Sequence, residues 1–296
     1  MRILVTGANG LLGQKLITLL QQKDGVELIA TARSASVQLI KRGEFQLLDV
    51  TDKNQVVAVI NLTKPDVVIH TAAMTQVDDC ETNHDACTLN NVTAVEYLVQ
   101  ACSTNNIHLV HVSTDFIFDG SSGLLDELAS PNPVNFYGGS KLKAEQAIQK
   151  STISWSILRT VLVYGITNDL SRSNIVLWVK KSLEEGKTIS VVNDQWRTPT
   201  LAEDLAQGCY LAAVKKAKGV FNISGKDFMT PFDIAVKTAD FFKLDKSLLK
   251  ATDSTHFKQP ARRPLKTGFI IDKAQRELNY KPHSFEQGLQ VIKDQL

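Results

Sequence analysis

The chain has only four cysteines in 296 residues, Cys80, Cys87, Cys102 and Cys209, and no two of them are spaced as CxxC. That excludes a disulfide framework and suits a reducing compartment. Cys80, His84 and Cys87 lie close together, but a fourth soft ligand at structural-zinc spacing is missing, so no metal site is expected. No apolar run approaches the roughly 20 residues needed to cross a bilayer. An excess of charge is also lacking: 33 basic against 31 acidic residues leave a formal net charge of +2, too little field to recruit nucleic acid or a membrane surface. Internal repeats and low-complexity tracts are absent. Strand-like sequence starts at Arg2 without a charged leader, and the expectation is a cytoplasmic protein whose partner is a small molecule. Without secretion, the sequons at Asn61-Leu62-Thr63 and Asn91-Val92-Thr93 have no consequence.

What is present is an ordinary globular composition, 43% hydrophobic and 22% charged, enough to bury one large core or a core plus a smaller lobe. Short β-branched runs alternate with amphipathic segments in the first half, the pattern of right-handed βαβ units and a parallel sheet. Strands are expected at Ile3 to Thr6, Glu27 to Ala32, Phe45 to Leu48, Val67 to Thr71, Leu109 to Ser113 and Trp155 to Thr160. Helices are expected near Leu11 to Gln22, Lys53 to Leu62, Asn91 to Asn105 and Tyr137 to Lys150. Past Tyr164-Gly165 the rhythm changes, with helices near Ile175 to Glu185 and Leu201 to Lys215 and short strands near Thr188 to Val192 and Val220 to Ser224. The expected fold class is α/β: a Rossmann-type doubly wound parallel sheet over residues 1–165, and a smaller C-terminal α/β lobe for substrate over residues 166–296. The boundary is soft, and later segments can return to the sheet. Pro231, Pro260, Pro264 and Pro282 punctuate the tail. A crevice between sheet and lobe is the expected ligand site.

The segment TGANGLLG, Thr6 to Gly13, follows the apolar run Ile3-Leu4-Val5 and opens a helical pattern. A dinucleotide pyrophosphate would sit there. Gly7 allows a tight turn, Gly10 lets the backbone approach a phosphate, Gly13 lets the helix pack on its strand, and free N–H groups at the helix start face the negative charge. In folds that prefer NAD, an acid about twenty positions after such a loop binds the ribose 2′-hydroxyl. Here Ala30 to Ser34 contains no acid and carries Arg33. A guanidinium can receive a 2′-phosphate, so NADP(H) is favoured with NAD(H) still open.

Tyr137 and Lys141 lie four apart in YGGSK at the start of a helical pattern, on one face. A tyrosine, with a pKa of about 10, is a poor proton carrier at neutral pH unless a nearby cation stabilises its phenolate. The run His108 to Gly120 reads as a buried strand ending in hydroxyls, Ser113 and Thr114, at the carboxyl edge where sheet enzymes hold substrates. A hydroxyl there can bond a carbonyl oxygen beside the tyrosine.

Taken together, TGANGLLG, LDVTD (Leu48 to Asp52), HTAAMTQVDDCE (His70 to Glu81), STD and YGGSK resemble the extended short-chain dehydrogenase/reductases over nearly the whole chain. The resemblance implies that Thr114, Tyr137 and Lys141 carry the chemistry. It also implies that Leu11 and Leu12 join the glycines at the cofactor, Asp49 and Val50 flank adenine, Ala72 and Ala73 pass along the cofactor, and Asn90 supports the lysine.

In the second half, ILRTVLVYG (Ile157 to Gly165), DQWRTPT with the following AEDLA, and ARRPLKTGF (Ala261 to Phe269) are similar to dTDP-4-dehydrorhamnose reductases, which reduce a nucleotide-linked 4-keto sugar. The regulatory beta subunit of methionine adenosyltransferase shares this layout without the catalysis. Phe116 replaces the usual Tyr after STD, and Leu162 replaces a frequent Trp; with Thr114 and Asp115 these positions belong to the substrate pocket by resemblance. Arg197, Arg262 and Arg263 are candidates for a diphosphate, Arg197 and Arg263 being favoured. The acids between Asp78 and Asp85 are expected to cap and solvate a helix start. A sugar dehydratase is disfavoured because it needs an acid after the Asp, where Phe116 stands. The reading is an NAD(P)H-dependent oxidoreductase of dTDP-rhamnose biosynthesis acting on a nucleotide sugar. A regulatory cofactor-binding protein and a nucleotide-sugar epimerase are the alternatives, and a homodimer is the assembly entertained.

Overall fold

In the computed structural model, which describes residues 1–168 and 174–296, β1 (Arg2–Thr6) leads into α1 (Leu11–Leu20), followed by β2 (Glu27–Ala32), β3 (Glu44–Leu47), α2 (Lys53–Thr63) and β4 (Val67–His70). Two short helices, α3 (Val77–Thr82) and α4 (His84–Thr88), precede α5 (Ala94–Asn105) and β5 (His108–Thr114). Then come α6 (Phe136–Lys150), β6 (Trp155–Thr160), β7 (Val163–Tyr164), α7 (Ile175–Glu184), β8 (Ile189–Val192) and β9 (Thr200–Leu201). The last part holds α8 (Ala202–Lys215), β10 (Gly219–Asn222), α9 (Pro231–Phe242), β11 (Leu249–Thr252) and α10 (Phe285–Lys293). Among the described residues, no helix is long and apolar enough to cross a membrane.

Seven strands make one parallel sheet in the order β10-β6-β5-β4-β1-β2-β3. Its strands are near-continuous apolar runs because both faces are covered. Ile3 and Val5 pack with Leu16, Leu20, Leu205 and Cys209 under α1 and α8. Leu4 points the other way and joins Val56, Val68, Leu98, Leu109 and Ile148 under α2, α5 and α6. The sheet order reverses beside β1, so β1, β4 and β5 present their carboxyl ends at a crevice.

Residues past Gly165 do return to the central layer, with β10 beside β6 and α8 packed on α1. Other elements depart from the sequence expectations. α5 starts at Ala94 rather than Asn91 because a π-helical turn occupies Leu89–Thr93. α9 and α10 lie outside the helices expected from sequence, although each starts with a capping box, Thr230 with Asp233 and Ser284 with Gln287, and α9 has Pro231 in its first turn. In sequence, Pro231 and Pro282 read only as tail punctuation. The lobe buries Tyr164, Val176, Met229, Ile234, Phe285 and Leu289 in a core of its own.

The sheet also buries polar groups, at both ends of its central strands. The Thr6 hydroxyl bonds His70 Nδ1 at 2.7 Å, and the His70 and His111 rings stack with centroids 5.4 Å apart. His108 sits between the Ser154 and Ser156 hydroxyls. Burial pushes His70 down to about 3, His108 down to about 4, and His111 well below the usual histidine value. All three are neutral in the folded protein near pH 6, whereas an unfolded chain protonates them below about 6.5. Stability is therefore full above that value and falls as pH drops toward 4, by about 1.4 kcal/mol per unit for each proton taken up only on unfolding. Thermal melts should show Tm falling steadily from pH 6.5 to 4.5, less steeply in His108→Gln; a flat profile would contradict the neutral assignment.

Candidate active site

The cofactor side is built where β1 turns into α1. Gly10 precedes the helix with extended backbone and no side-chain cap, and the first turn has no acid, so the N–H groups of Leu11, Leu12 and Gly13 face outward beside an unneutralised helix terminus. A Cβ on Gly13 would lie 2.2 Å from the Gly7 carbonyl oxygen, which is why helix and loop can touch only through glycine. Ala72, after β4, lies directly against Gly7. Asn9 clasps the loop after β2: its amide donates to the Ser34 and Ala35 carbonyls and its Oδ1 accepts from Val37 N–H. Arg33 is exposed at that edge. Asp49 Oδ1 accepts from the Thr51 backbone and hydroxyl, and Val50 is buried beside it. The donors, the glycine cradle and Ala72 fit a dinucleotide.

The other side of the crevice is formed by the end of β5 and the first turns of α6. Asn135 caps α6 by accepting from Gly138 N–H, and Glu81 of α3 accepts from Phe136 N–H at 2.9 Å. Gly138 then packs against the turn after β5, where an added Cβ would lie 2.0 Å from the Phe116 carbonyl oxygen. This contact brings Tyr137 against the Thr114 hydroxyl. Phe116 meets the Tyr137 ring edge-on at 5.9 Å. Burial, with Asp115, Cys80 and Cys87 nearby, pushes the phenol well above its usual pKa.

Lys141 is 3% exposed. Its Nζ donates to the Val112 carbonyl at 2.8 Å and lies 3.3 Å from His111 Nε2. An ammonium can only donate, so His111 Nε2 accepts and the ring proton sits on Nδ1. Burial lowers Lys141 to about 8, opposed by Glu145 one turn on. Glu145 itself is held by a two-pronged pair with Arg159 at 2.8 and 3.1 Å.

Of the expected site residues, Thr114, Asp115, Phe116, Tyr137 and Lys141 come together. Asn90 does not join them: its amide donates back to the Ala86 carbonyl. The neighbouring Asn91 is the buried organiser, bonding Met74 N–H, the Met74 carbonyl and the Ser140 hydroxyl. Both favoured arginines are engaged by the protein. Arg197 donates to the carbonyls of Trp196, Leu265 and Pro264, faces Asp115 at 3.7 Å and stands over the Phe116 ring. Arg263 forks onto Asp78, with Nη2 to Oδ2 at 2.6 Å. Asp78 makes no cap bond: it straps the lobe to α3, accepting from Arg263 and from Ala261 N–H. Leu162 has φ of 38° and accepts from Thr200 N–H, packing between the two cores. Trp196 and Phe228, tilted against each other with ring centroids 5.2 Å apart, form a pair that the sequence does not announce because its members are far apart in the chain.

Gly138→Ala must push α6 off the Phe116 carbonyl. Such overpacking costs about 1–3 kcal/mol, and a displacement near 1 Å at the reacting groups costs about 10² in rate. Gly139→Ala meets nothing within 4 Å and should instead raise stability slightly. Melts and turnover of the two variants check this; equal behaviour would contradict the tight contact.

The RmlD substrate binding domain family matches residues 1–296. The chain is 30% identical over 290 residues to the probable low-salt glycan biosynthesis reductase Agl14 of Haloferax volcanii, covering 97% of this chain and 96% of that protein. It is 32% identical over 259 residues to methionine adenosyltransferase 2 subunit beta of Bos taurus, covering 86% and 76% respectively. The crystal structure of dTDP-4-dehydrorhamnose reductase from Bacillus anthracis in complex with NADP superposes with a TM-score of 0.85 at 26% identity, covering 100% of this chain and 99% of that one. A match that runs from residue 1 to residue 296, across both the sheet and the lobe, makes the chain a member of the RmlD substrate binding domain family.

Proposed function

We propose that the protein is an NADPH-dependent reductase of a nucleoside-diphosphate 4-keto-6-deoxysugar, with dTDP-4-dehydro-L-rhamnose reduced to dTDP-L-rhamnose. The observation that carries the reading is a buried lysine one helical turn from a buried tyrosine, with a threonine hydroxyl against the phenol. Ketone reduction needs a proton delivered to a developing alkoxide. Tyr137, with its pKa raised, holds that proton at neutral pH. Lys141, cationic below about 8, stabilises the phenolate left behind and stands where a ribose hydroxyl of the cofactor can reach it. A nicotinamide dinucleotide bound along the glycine loop supplies the hydride. The exposed Arg33 and the lack of an acid after β2 favour the 2′-phosphate of NADPH.

On the substrate side, Arg263 reaches a diphosphate by exchanging Asp78 for phosphate oxygens. Arg197 instead holds the Pro264 and Leu265 backbone, and the Trp196–Phe228 pair offers an aromatic wall for the base. The similarity to methionine adenosyltransferase 2 subunit beta favours a second, regulatory reading, in which the cofactor stays bound and a protein is the ligand. An epimerase would use the same Tyr/Lys pair to oxidise and re-reduce. A homodimer is proposed as the assembly, to be read by sedimentation.

Tyr137→Phe keeps the ring and removes the proton, so NADPH affinity should survive while kcat on dTDP-4-dehydro-L-rhamnose falls by roughly 10² or more. In the same assay NADPH should outperform NADH, and Arg33→Ala should narrow the gap. Near wild-type turnover by Tyr137→Phe would remove the catalytic role.

A further inference from the structure

Residues 33–43, between β2 and β3, form no helix or strand. A segment without a ladder must find partners for its backbone elsewhere, and here side chains from α1 and the loop before it supply them. Asn9 supplies most at the near end. Its Nδ2 donates to the Ala35 carbonyl at 2.9 Å and to the Ser34 hydroxyl at 3.2 Å, with the Ser34 carbonyl at 3.4 Å, and its Oδ1 accepts from Val37 N–H at 3.1 Å. Gln14, 2% exposed, steadies Asn9 by donating to its carbonyl, while the Gln14 carbonyl accepts from Gln38 Nε2. Further along, Gln21 Oε1 accepts from the N–H groups of Lys41 and Arg42. Behind the clasp, Ala8 N–H donates to the Thr31 carbonyl at 2.9 Å, so the glycine loop and the end of β2 are in contact.

The clasp decides where two groups stand. Arg33 is exposed directly after β2 and has no ion pair among the described residues. Ser34 Oγ accepts from Asn9, and its proton is donated to no described residue. A cation and a hydroxyl proton, both uncommitted and side by side next to the glycine loop, complement a phosphate ester, which accepts from both. Both amide hydrogens of Asn9 are spent on residues 34 and 35, which leaves none for the pyrophosphate. We infer that Asn9 is a positioning residue for coenzyme choice: by clasping Ser34, Ala35 and Val37 it holds Arg33 and Ser34 where the 2′-phosphate of NADPH lies, and it adds little to the part of the dinucleotide that NADH shares. The inference rests on the NADPH reading given above. The glycine pattern of TGANGLLG leaves the position between Ala8 and Gly10 unassigned, because its partners come more than twenty residues later.

Dissociation constants of NADPH and NADH for the full chain, from equilibrium titrations of nicotinamide fluorescence, test this without turnover. Asn9→Ala should weaken NADPH about tenfold, the scale of a lost charge-assisted contact, and NADH by less than about twofold. In an Arg33→Ala/Ser34→Ala background the same substitution should leave the ratio of the two constants unchanged, because the groups it positions are gone. Equal weakening of both coenzymes, no change in either, or an undiminished effect in that background overturns the inference. Should Asn9→Ala not fold, Asn9→Ser, whose hydroxyl is too short to span Ala35 and Val37, is read by the same ratio. If the wild-type protein binds NADH as tightly as NADPH, the NADPH reading itself fails; if it prefers NADPH and Asn9→Ala keeps that preference, only the role of Asn9 does.

Discussion

The structure depends on keeping an ammonium out of water. Moving a cation from solvent into a protein interior costs several kcal/mol unless its hydrogens find acceptors, and Lys141 finds the Val112 carbonyl and His111 Nε2. Much of the surrounding architecture serves that placement. The Val112 carbonyl lies just past the end of β4, whose pairing with β5 stops at His70 opposite His111, while β5 itself runs on to Thr114. His111 is held neutral by burial beside His70, so it can accept. Glu145, anchored by Arg159, offsets part of the cost from one turn away.

Close packing does the rest. α6 approaches the end of β5 as nearly as two backbones can, through Gly138 on the Phe116 carbonyl, and only that approach sets Tyr137 against Thr114. The lobe is part of the same device. Thr267 and Arg197 hold Asp115, Arg263 binds Asp78, and Asn135 donates to the Arg262 carbonyl. The lobe can therefore shift only by breaking its contacts to Asp115, Asp78 and the cap residue of α6.

Much of the fold was legible. β1, β2, β4, β5 and β6 announce themselves as apolar runs because both sheet faces are buried, and the glycine loop and the Tyr137/Lys141 spacing are local features of the chain. What stayed hidden depends on contacts between distant segments. Gly138 and Gly139 are identical letters side by side, yet one touches a carbonyl oxygen and the other faces open space. Asn90 and Asn91 differ only in which face of a π-helical turn they occupy. Arg197 and Arg263 look like spare cations until their partners, far off in sequence, are seen. β10 joins the sheet because α8 covers α1, a pairing with no local signature.

The central claim is that this site moves a hydride and a proton onto a sugar ketone. The most direct test supplies deuterium-labelled NADPH and dTDP-4-dehydro-L-rhamnose to the wild-type protein and reads the product by mass spectrometry. The claim predicts dTDP-L-rhamnose carrying one deuterium at C4, with equimolar oxidation of the cofactor. Tight NADP binding with no label in the sugar would contradict it and leave a cofactor-bound regulatory protein.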